Sequence, residues 1–331
     1  MQHEDLQAHR VQDAGALVPW ISVILPVYCG EQWVETTLES IAVEADPGIE
    51  IVVIDTSPTP TTLDLVRNFA GRLKLSIYQP DHIDGCMPKT NFGVEKARAT
   101  HVTWLCQDDL WLPGRAKALR RWIACDPGAA LHLAPTAIID VHGRALGIWR
   151  CPLAATETPL DRETLCSRLL VQDFIAVPSP VIRRDAWLAC GGIDPTLWYT
   201  GDWELWLKLA QFGRSHYHDE VTAGFRIHDA SATTNGSRNA ADFRFQLETV
   251  IERHIGAISP QKQARVRRLA EASVTVNVGL AASANGVRGG LAHAIRAVLA
   301  LGPVEAFHYI RYSRIFERAW PRLRARLAGN L

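Results

Sequence analysis

Residues 21–57 read ISVILPVYCGEQWVETTLESIAVEADPGIEIVVIDTS, and this stretch decides the fold. Its opening, ISVILPVY (21–28), is almost wholly apolar and rich in β-branched side chains. Such a run, stopped by Cys29-Gly30, predicts a strand covered on both faces, as strands of parallel sheets are. Residues 31–45 then carry Val34, Leu38, Ile41 and Ala42 at the spacing of one helix face. IEIVVID (49–55) repeats the buried-strand pattern and stops at Asp55-Thr56-Ser57-Pro58.

Working outward, TTLDLVRNFA (61–70) is helical by spacing and LKLSIYQ (73–79) is a third strand. A Gly/Pro-bearing loop follows, then a helix over 90–98 and the strand HVTWLC (101–106). Strand and helix in alternation predict a doubly wound α/β sheet, whose ligands sit at the carboxyl ends of the strands. ALHLAPTAIID (130–140) holds strand-like runs, and DVHGRAL (140–146) reads as a turn. PSPVIRRDAWLACGGI (178–193) reads as a short strand, a short helix and a Gly-Gly stop. DWELWLKLAQFG (202–213) predicts an amphipathic helix with Asp202 as N-cap and Gly213 as C-cap. Beyond Asn239 the pattern is helical, with breaks at Ser259-Pro260, Asn285-Gly286 and Gly302-Pro303. The resulting division is a tail (1–19), an α/β region (20–238) and a helical extension (239–331).

The formal charge is zero over 331 residues, so nothing in the whole chain points to nucleic acid. The distribution is uneven: residues 240–331 hold 14 Lys and Arg against 6 Asp and Glu, leaving residues 1–239 acidic. Seven cysteines without a Cys-x-x-Cys pair argue against a disulfide framework or a zinc site and suit a reducing cytoplasm. The polar, acid-bearing N-terminus is unlike a secretory signal, and no apolar run is long enough to span a bilayer.

Chemistry concentrates at the strand ends. Asp108 and Asp109 directly follow HVTWLC; two adjacent carboxylates repel unless a cation arrives, and Mg²⁺ or Mn²⁺ takes oxygen ligands and bridges diphosphates. A solvated Asp-Asp turn is the plainer reading. Asp202, beside Trp203 and Trp206, serves equally as a helix cap or as a general base with a raised pKa. Arg226 and His228, two apart on an extended segment, face one way and suit a diphosphate. Pro26, Tyr28 and Glu31 after the first strand, with Asp55 and Thr56 after the second, could form a nucleoside pocket or simply loops.

The series SVILPVY, VVIDTS, QDD before LW-x-P, GGID…GDWELWLKL and FRIH resembles the family 2 glycosyltransferases of GT-A fold, over roughly residues 20–235. The resemblance implies a catalytic domain over 20–238, with a nucleotide-binding half (20–112) and an acceptor half (113–238). It implies an inverting transfer from a nucleoside-diphosphate sugar, commonly with Mn²⁺ or Mg²⁺, to a glycan or lipid-linked acceptor in cell-surface polysaccharide or glycoconjugate synthesis. Carried over, Asp109 is the metal ligand with His228 beside it, Asp108 and Arg226 serve the donor, and Asp202 is the base. Lys89 and Asn91 stand where the family often has Ala-Arg-Asn, with Lys89 as the cation near the phosphates. The chain departs from the family in Asp55-Thr56, where two acids are usual, which leaves the nucleobase open. It also has Gly201-Asp202 in place of Glu-Asp. The rivals are an inert nucleotide-sugar-binding or scaffold subunit, which would be expected to lose one of these acids, and a nucleotidyltransferase, which would want a Gly-rich loop after the first strand. Finally, IRYSRIFERAWPRLRARL (310–327) interleaves apolar residues with six arginines, with a helix break expected at Pro321. It reads either as a helix packed on the catalytic domain or as peripheral contact with an anionic membrane.

Overall fold

The structure, a computed structural model, describes residues 18–229, 231 and 239–327; most of the N-terminal tail and of the polar run 229–237 lies outside the described residues. β1 (Ile21–Val27) and β2 (Ile49–Asp55) are buried at every position. Alternation along β1 explains why. Val23, Leu25 and Val27 face the layer of Val34, Leu38 and Ile41 on α1 (Val34–Ala42) and of Leu63 on α2 (Thr61–Arg67). Ile24 faces the opposite layer, with Val94 of α3 (Cys86–Lys96) and Trp104 of β4 (His101–Trp104). A strand covered on both sides has no solvated face, hence a sequence apolar except for Ser22, whose hydroxyl donates to Glu50 Oε2 at 2.7 Å.

β3 (Lys74–Tyr78) is the edge of a seven-stranded sheet of order β10-β6-β9-β4-β1-β2-β3. β4, β1, β2 and β3 run parallel, as expected. The second half departs from that regularity: β9 (Val181–Arg183) inserts antiparallel between β4 and β6 (Leu131–Leu133), and β10 (Ser215–Tyr217) pairs parallel with β6. The run 130–140 splits between two sheets. Its second part, β7 (Thr136–Ile139), belongs to a four-stranded sheet of order β5-β11-β7-β8, with β5 (Leu110–Trp111), β8 (Ala145–Trp149) and β11 (Ala223–Arg226). Helices α4 (Arg115–Cys125), α5 (Arg162–Val171), α6 (Arg184–Ala189) and α7 (Gly201–Phe212) complete this part.

One buried cation and one histidine array hold the second half together. Arg115 is fully buried and donates to Thr222 Oγ1 (2.6 Å), Pro178 O (2.7 Å) and Ser179 O (3.1 Å). His132 Nδ1 meets His218 Nε2 at 3.0 Å, His218 stacks on Trp122, and His216 Nε2 meets Asp126 Oδ2 at 3.0 Å. Burial keeps His132 and His218 neutral, lowered to about 3 and about 4.

The extension forms α8 (Ala240–His254), α9 (Pro260–Ala284), α10 (Gly290–Leu299), α11 (Pro303–Ser313) and α12 (Ile315–Leu327). Pro260 and Pro303 sit in the first turns of α9 and α11, where a missing N–H costs nothing. The break expected at Pro321 falls instead at Arg314, whose φ of 49° separates α11 from α12. Pro321 lies inside α12, buried against β8, its Cγ 3.0 Å from where a Cβ on Gly147 would be. No described helix is long and apolar enough to cross a membrane.

Candidate active site

The parallel register sets Val27 of β1 beside Asp55 of β2, so the loops after β1, β2 and β4 share one rim. Gln107, assigned no role by the sequence, clamps that rim: Oε1 accepts from Tyr28 N at 2.8 Å and Nε2 donates to Tyr28 O at 3.0 Å. Asp55 and Thr56 line a cavity of about 460 Å³ together with Ser57, Gln79, His82 and Asp84. Asp55 Oδ1 accepts from the Ser57 hydroxyl at 2.6 Å, while its buried Oδ2 has no partner among the described residues. The other three residues grouped with them stand apart from this cavity. Pro26 is buried within β1 opposite Ile54, Glu31 accepts from Thr62 Oγ1 at 2.6 Å, and Tyr28 is exposed. The 79–84 loop was missed because a polar loop after an edge strand carries no pattern of its own.

Helix α3 begins at Cys86, earlier than its spacing suggested, which places Lys89 in the first turn. Its buried Nζ donates to Val27 O at 2.7 Å and Thr56 Oγ1 at 3.1 Å, lying 5.4 Å from the Tyr28 ring centroid. Burial pulls this amine below the usual lysine range. Asn91 is committed elsewhere. Its amide oxygen accepts from Ile193 N (2.9 Å) and the Trp187 indole (3.1 Å), and its amide nitrogen donates to Ile193 O (2.8 Å).

Across the rim lies the acidic pair. Asp109 is buried, and its Oδ1 accepts from Arg226 N at 2.9 Å. Its Oδ2 is buried without a partner among the described residues. Burial first, then the neighbouring Asp108, pushes this carboxyl well above the usual carboxylate range. Asp108 Oδ2 meets His228 Nε2 at 2.8 Å. Arg226 donates to Asp108 O (2.7 Å), Asp140 O (2.8 Å) and Val141 O (3.0 Å), and stacks on Trp33 at 4.4 Å. It therefore ties β11 to the loop after β4. Ligand atoms of Cys106, Asp108 and Asp109 lie within 4.8 Å of one another. An orphaned carboxylate oxygen beside a second carboxylate suits a hard divalent cation such as Mn²⁺ or Mg²⁺; the thiol suits it less well.

Asp202 is not the N-cap. Thr200 holds that position and α7 starts at Gly201, so Asp202 sits in the first turn, with Oδ1 accepting from Trp203 N at 2.8 Å. Burial raises it to about 6, against the opposing pull of that hydrogen bond. Trp203 and Trp206 are core residues, and the Trp203 indole donates to Leu169 O at 2.8 Å. Gly213 is the C-cap of α7, as expected, but in an extended rather than a left-handed conformation. Its φ of −157° is extended, and glycine is needed because a Cβ would stand 2.8 Å from Ala130 Cβ. The two half-sites meet at the start of α3, where Met87 Sδ comes within 3.6 Å of a Cβ position on Gly201.

Residues 22–147 match the model of the family described as glycosyl transferase family 2. Over 224 residues the chain is 24% identical to an uncharacterized glycosyltransferase of Rickettsia typhi, covering 67% of this chain and 68% of that protein. It is 26% identical over 226 residues to a putative teichuronic acid biosynthesis glycosyltransferase, TuaG, of Bacillus subtilis, covering 66% and 82%. The fold is shared with S. aureus TarS 1–349, solved with UDP-GlcNAc (TM-score 0.57, 14% identity, 90% and 92% covered). It is also shared with the mannosyltransferase PcManGT of Pyrobaculum calidifontis, solved with GDP-Man and Mn²⁺ (TM-score 0.58, 18% identity, 95% and 86% covered).

Proposed function

We propose that the chain is a family 2 glycosyltransferase that moves a sugar from a nucleoside-diphosphate sugar to an acceptor hydroxyl by direct displacement with inversion, in line with the family match over residues 22–147. Cell-surface polysaccharide or glycoconjugate synthesis is the setting we infer, in line with the teichuronic acid biosynthesis for which the Bacillus subtilis relative is named. The observation that carries the mechanism is Asp202: a carboxylate with a raised pKa, held in a rigid first turn, across the start of α3 from the acidic pair.

Asp202 takes the proton of the acceptor hydroxyl as that oxygen attacks the anomeric carbon from the face opposite the nucleotide. Asp55, Thr56 and the 79–84 loop receive the nucleoside. Lys89 supplies positive charge between the ends of β1 and β2, and Arg226 and His228 hold the Asp108 loop shut over the diphosphate. Asp109, with Asp108 and His228 beside it, would hold a Mn²⁺ or Mg²⁺ ion, which when bound would supply further positive charge against the leaving group. Asp202→Asn tests the reading: the side-chain oxygen can still accept from Trp203 N, so donor affinity and stability survive while turnover falls roughly 10²–10⁴-fold. Full transfer by that variant sinks the base assignment.

We further place the protein on the cytoplasmic face of the membrane, where a lipid-linked acceptor is reached. Leu291, Ile295 and Leu299 are exposed at four-residue spacing on α10, and Phe316, Trp320 and Leu323 are exposed on α12 among arginines. Ile295→Glu with Trp320→Glu should abolish salt-sensitive co-sedimentation with anionic vesicles; unchanged partitioning refutes the contact.

A further inference from the structure

Two of the three groups gathered at the acidic pair are oxygen donors of the kind Mg²⁺ takes, and the third is a thiol. Cys106 Sγ and one carboxylate oxygen each from Asp108 and Asp109 lie within 4.8 Å of one another. With bonds of about 2.1 Å to oxygen and about 2.3 Å to sulfur, ligands on opposite sides of one ion stand about 4.4 Å apart. Small side-chain adjustments therefore bring all three atoms to a single ion.

The backbone fixes this juxtaposition. Leu105 N donates to Ile24 O at 3.0 Å, so β1 holds the chain as far as Cys106. Asp109 N then donates to Cys106 O at 3.1 Å and closes a tight turn. Thr37 Oγ1, on α1, ties that turn down through Gln107 O (2.7 Å) and Asp109 O (2.9 Å). Gln107 spends its amide on Tyr28, and Arg226 N takes Asp109 Oδ1. What remains is Asp109 Oδ2. Asp109 is 1% exposed, and this oxygen has no partner among the described residues. A carboxylate oxygen withdrawn from water is costly unless a cation or a donor meets it. Cys106 is half-buried and packs against the layer that holds Val94 and Trp104. Packing alone asks only for a small apolar side chain there; the thiol adds a soft donor to two hard ones.

We propose that Cys106 is a metal-selecting residue, whose sulfur makes the site prefer Mn²⁺, Co²⁺ or Zn²⁺ to Mg²⁺. This rests on the reading of Asp109 as the metal ligand. Carboxylates alone serve Mg²⁺ as well as Mn²⁺, whereas a thiolate favours the transition ions and Zn²⁺. Mg²⁺ also sheds its water reluctantly and gains little from a sulfur in exchange. On binding, the S–H bond gives way to a metal–sulfur bond and the proton passes to the buffer. The consequence is discrimination: Mg²⁺, held through oxygen alone, competes poorly for the site.

The test is metal binding by the full chain under reducing conditions, with Co²⁺, Mn²⁺ and Mg²⁺ titrated separately, alone and with UDP or GDP. Bound Co²⁺ should show a near-ultraviolet sulfur-to-metal charge-transfer band in the wild type. Cys106→Ser and Cys106→Ala should lose that band while still binding Co²⁺ through oxygen. The ratio of Co²⁺ to Mg²⁺ affinity should fall roughly 10–100-fold in Cys106→Ser, no less than the loss typical of groups that only orient a ligand. Because first-row ions follow a similar order at most sites, the change in ratio decides, and the wild-type ranking does not. An unchanged ratio, a band that survives substitution, or a wild-type Co²⁺ complex without the band overturns the inference; either variant suffices if the other fails to fold. Asp109→Asn separates the two readings. Wild-type binding as weak as that of Asp109→Asn removes the metal role of Asp109 itself, whereas Asp109-dependent binding without the sulfur signature removes only that of Cys106.

Discussion

Replacing Asp109 by Asn separates a ligand of the bound state from a pillar of the fold. In the free protein the introduced amide would keep an oxygen for Arg226 N, at the 2.9 Å position that Oδ1 now holds. Its amide nitrogen would replace Oδ2, which is buried without a partner, and an unmet amide costs about 1–3 kcal/mol. Against this, the substitution removes an ionisable group that burial and Asp108 already hold well above its ordinary pKa, which relieves the free protein. The two effects offset, so the melting temperature of the free protein should move by no more than a few degrees. The bound state behaves differently. Mn²⁺ with a nucleoside diphosphate at one hundred times Kd should stabilise the parent by about 2.7 kcal/mol, or about 4 °C for a chain of this length. With the anionic ligand gone, the Asp109→Asn variant should rise by less than about 1 °C under the same conditions. Calorimetric melting of both proteins, with metal and after chelation, is the measurement. An equal ligand-induced rise in the variant refutes the metal role, and a fall of ten degrees or more in the free protein shows that Asp109 is structural.

Three further outcomes follow from the packing. Arg115→Met should destabilise by about 3–5 kcal/mol in denaturant titration, since it strands two buried carbonyls and the Thr222 hydroxyl. Gly213→Ala should lose about 1–3 kcal/mol from overpacking against Ala130, with no backbone strain; an unchanged midpoint would show that α7 can shift away. His132 and His218 have folded pKa values below the unfolded one, so their stability contribution is complete above about pH 6.5 and is lost as pH falls towards 4 and 3. Unfolding free energy should drop on the order of 3 kcal/mol between pH 7 and 4, and His132→Gln should flatten that slope.

Local chemistry made the first half legible. A strand buried on both faces is mostly apolar, its rare polar side chains being paired as Ser22 is with Glu50 at 2.7 Å, so ISVILPVY and IEIVVID announced the sheet and QDD the end of a strand. Sequence neighbours such as Asp108 and Asp109, or Arg226 and His228, were visible because their pairing is local. The contacts that position these residues are not local. The Trp203 indole reaches Leu169 O only because α5 packs on α7, and Gln172 meets Asn277, 105 positions further along the chain, only because α9 folds back on the catalytic region. Asn91 spends its amide on Ile193, and Thr200 displaces Asp202 from the N-cap. Arg314, rather than Pro321, ends a helix because β8 accommodates the proline ring. Hydrophobic period is written along the chain, whereas the charge environment of a buried carboxylate is set by whichever elements fold against it.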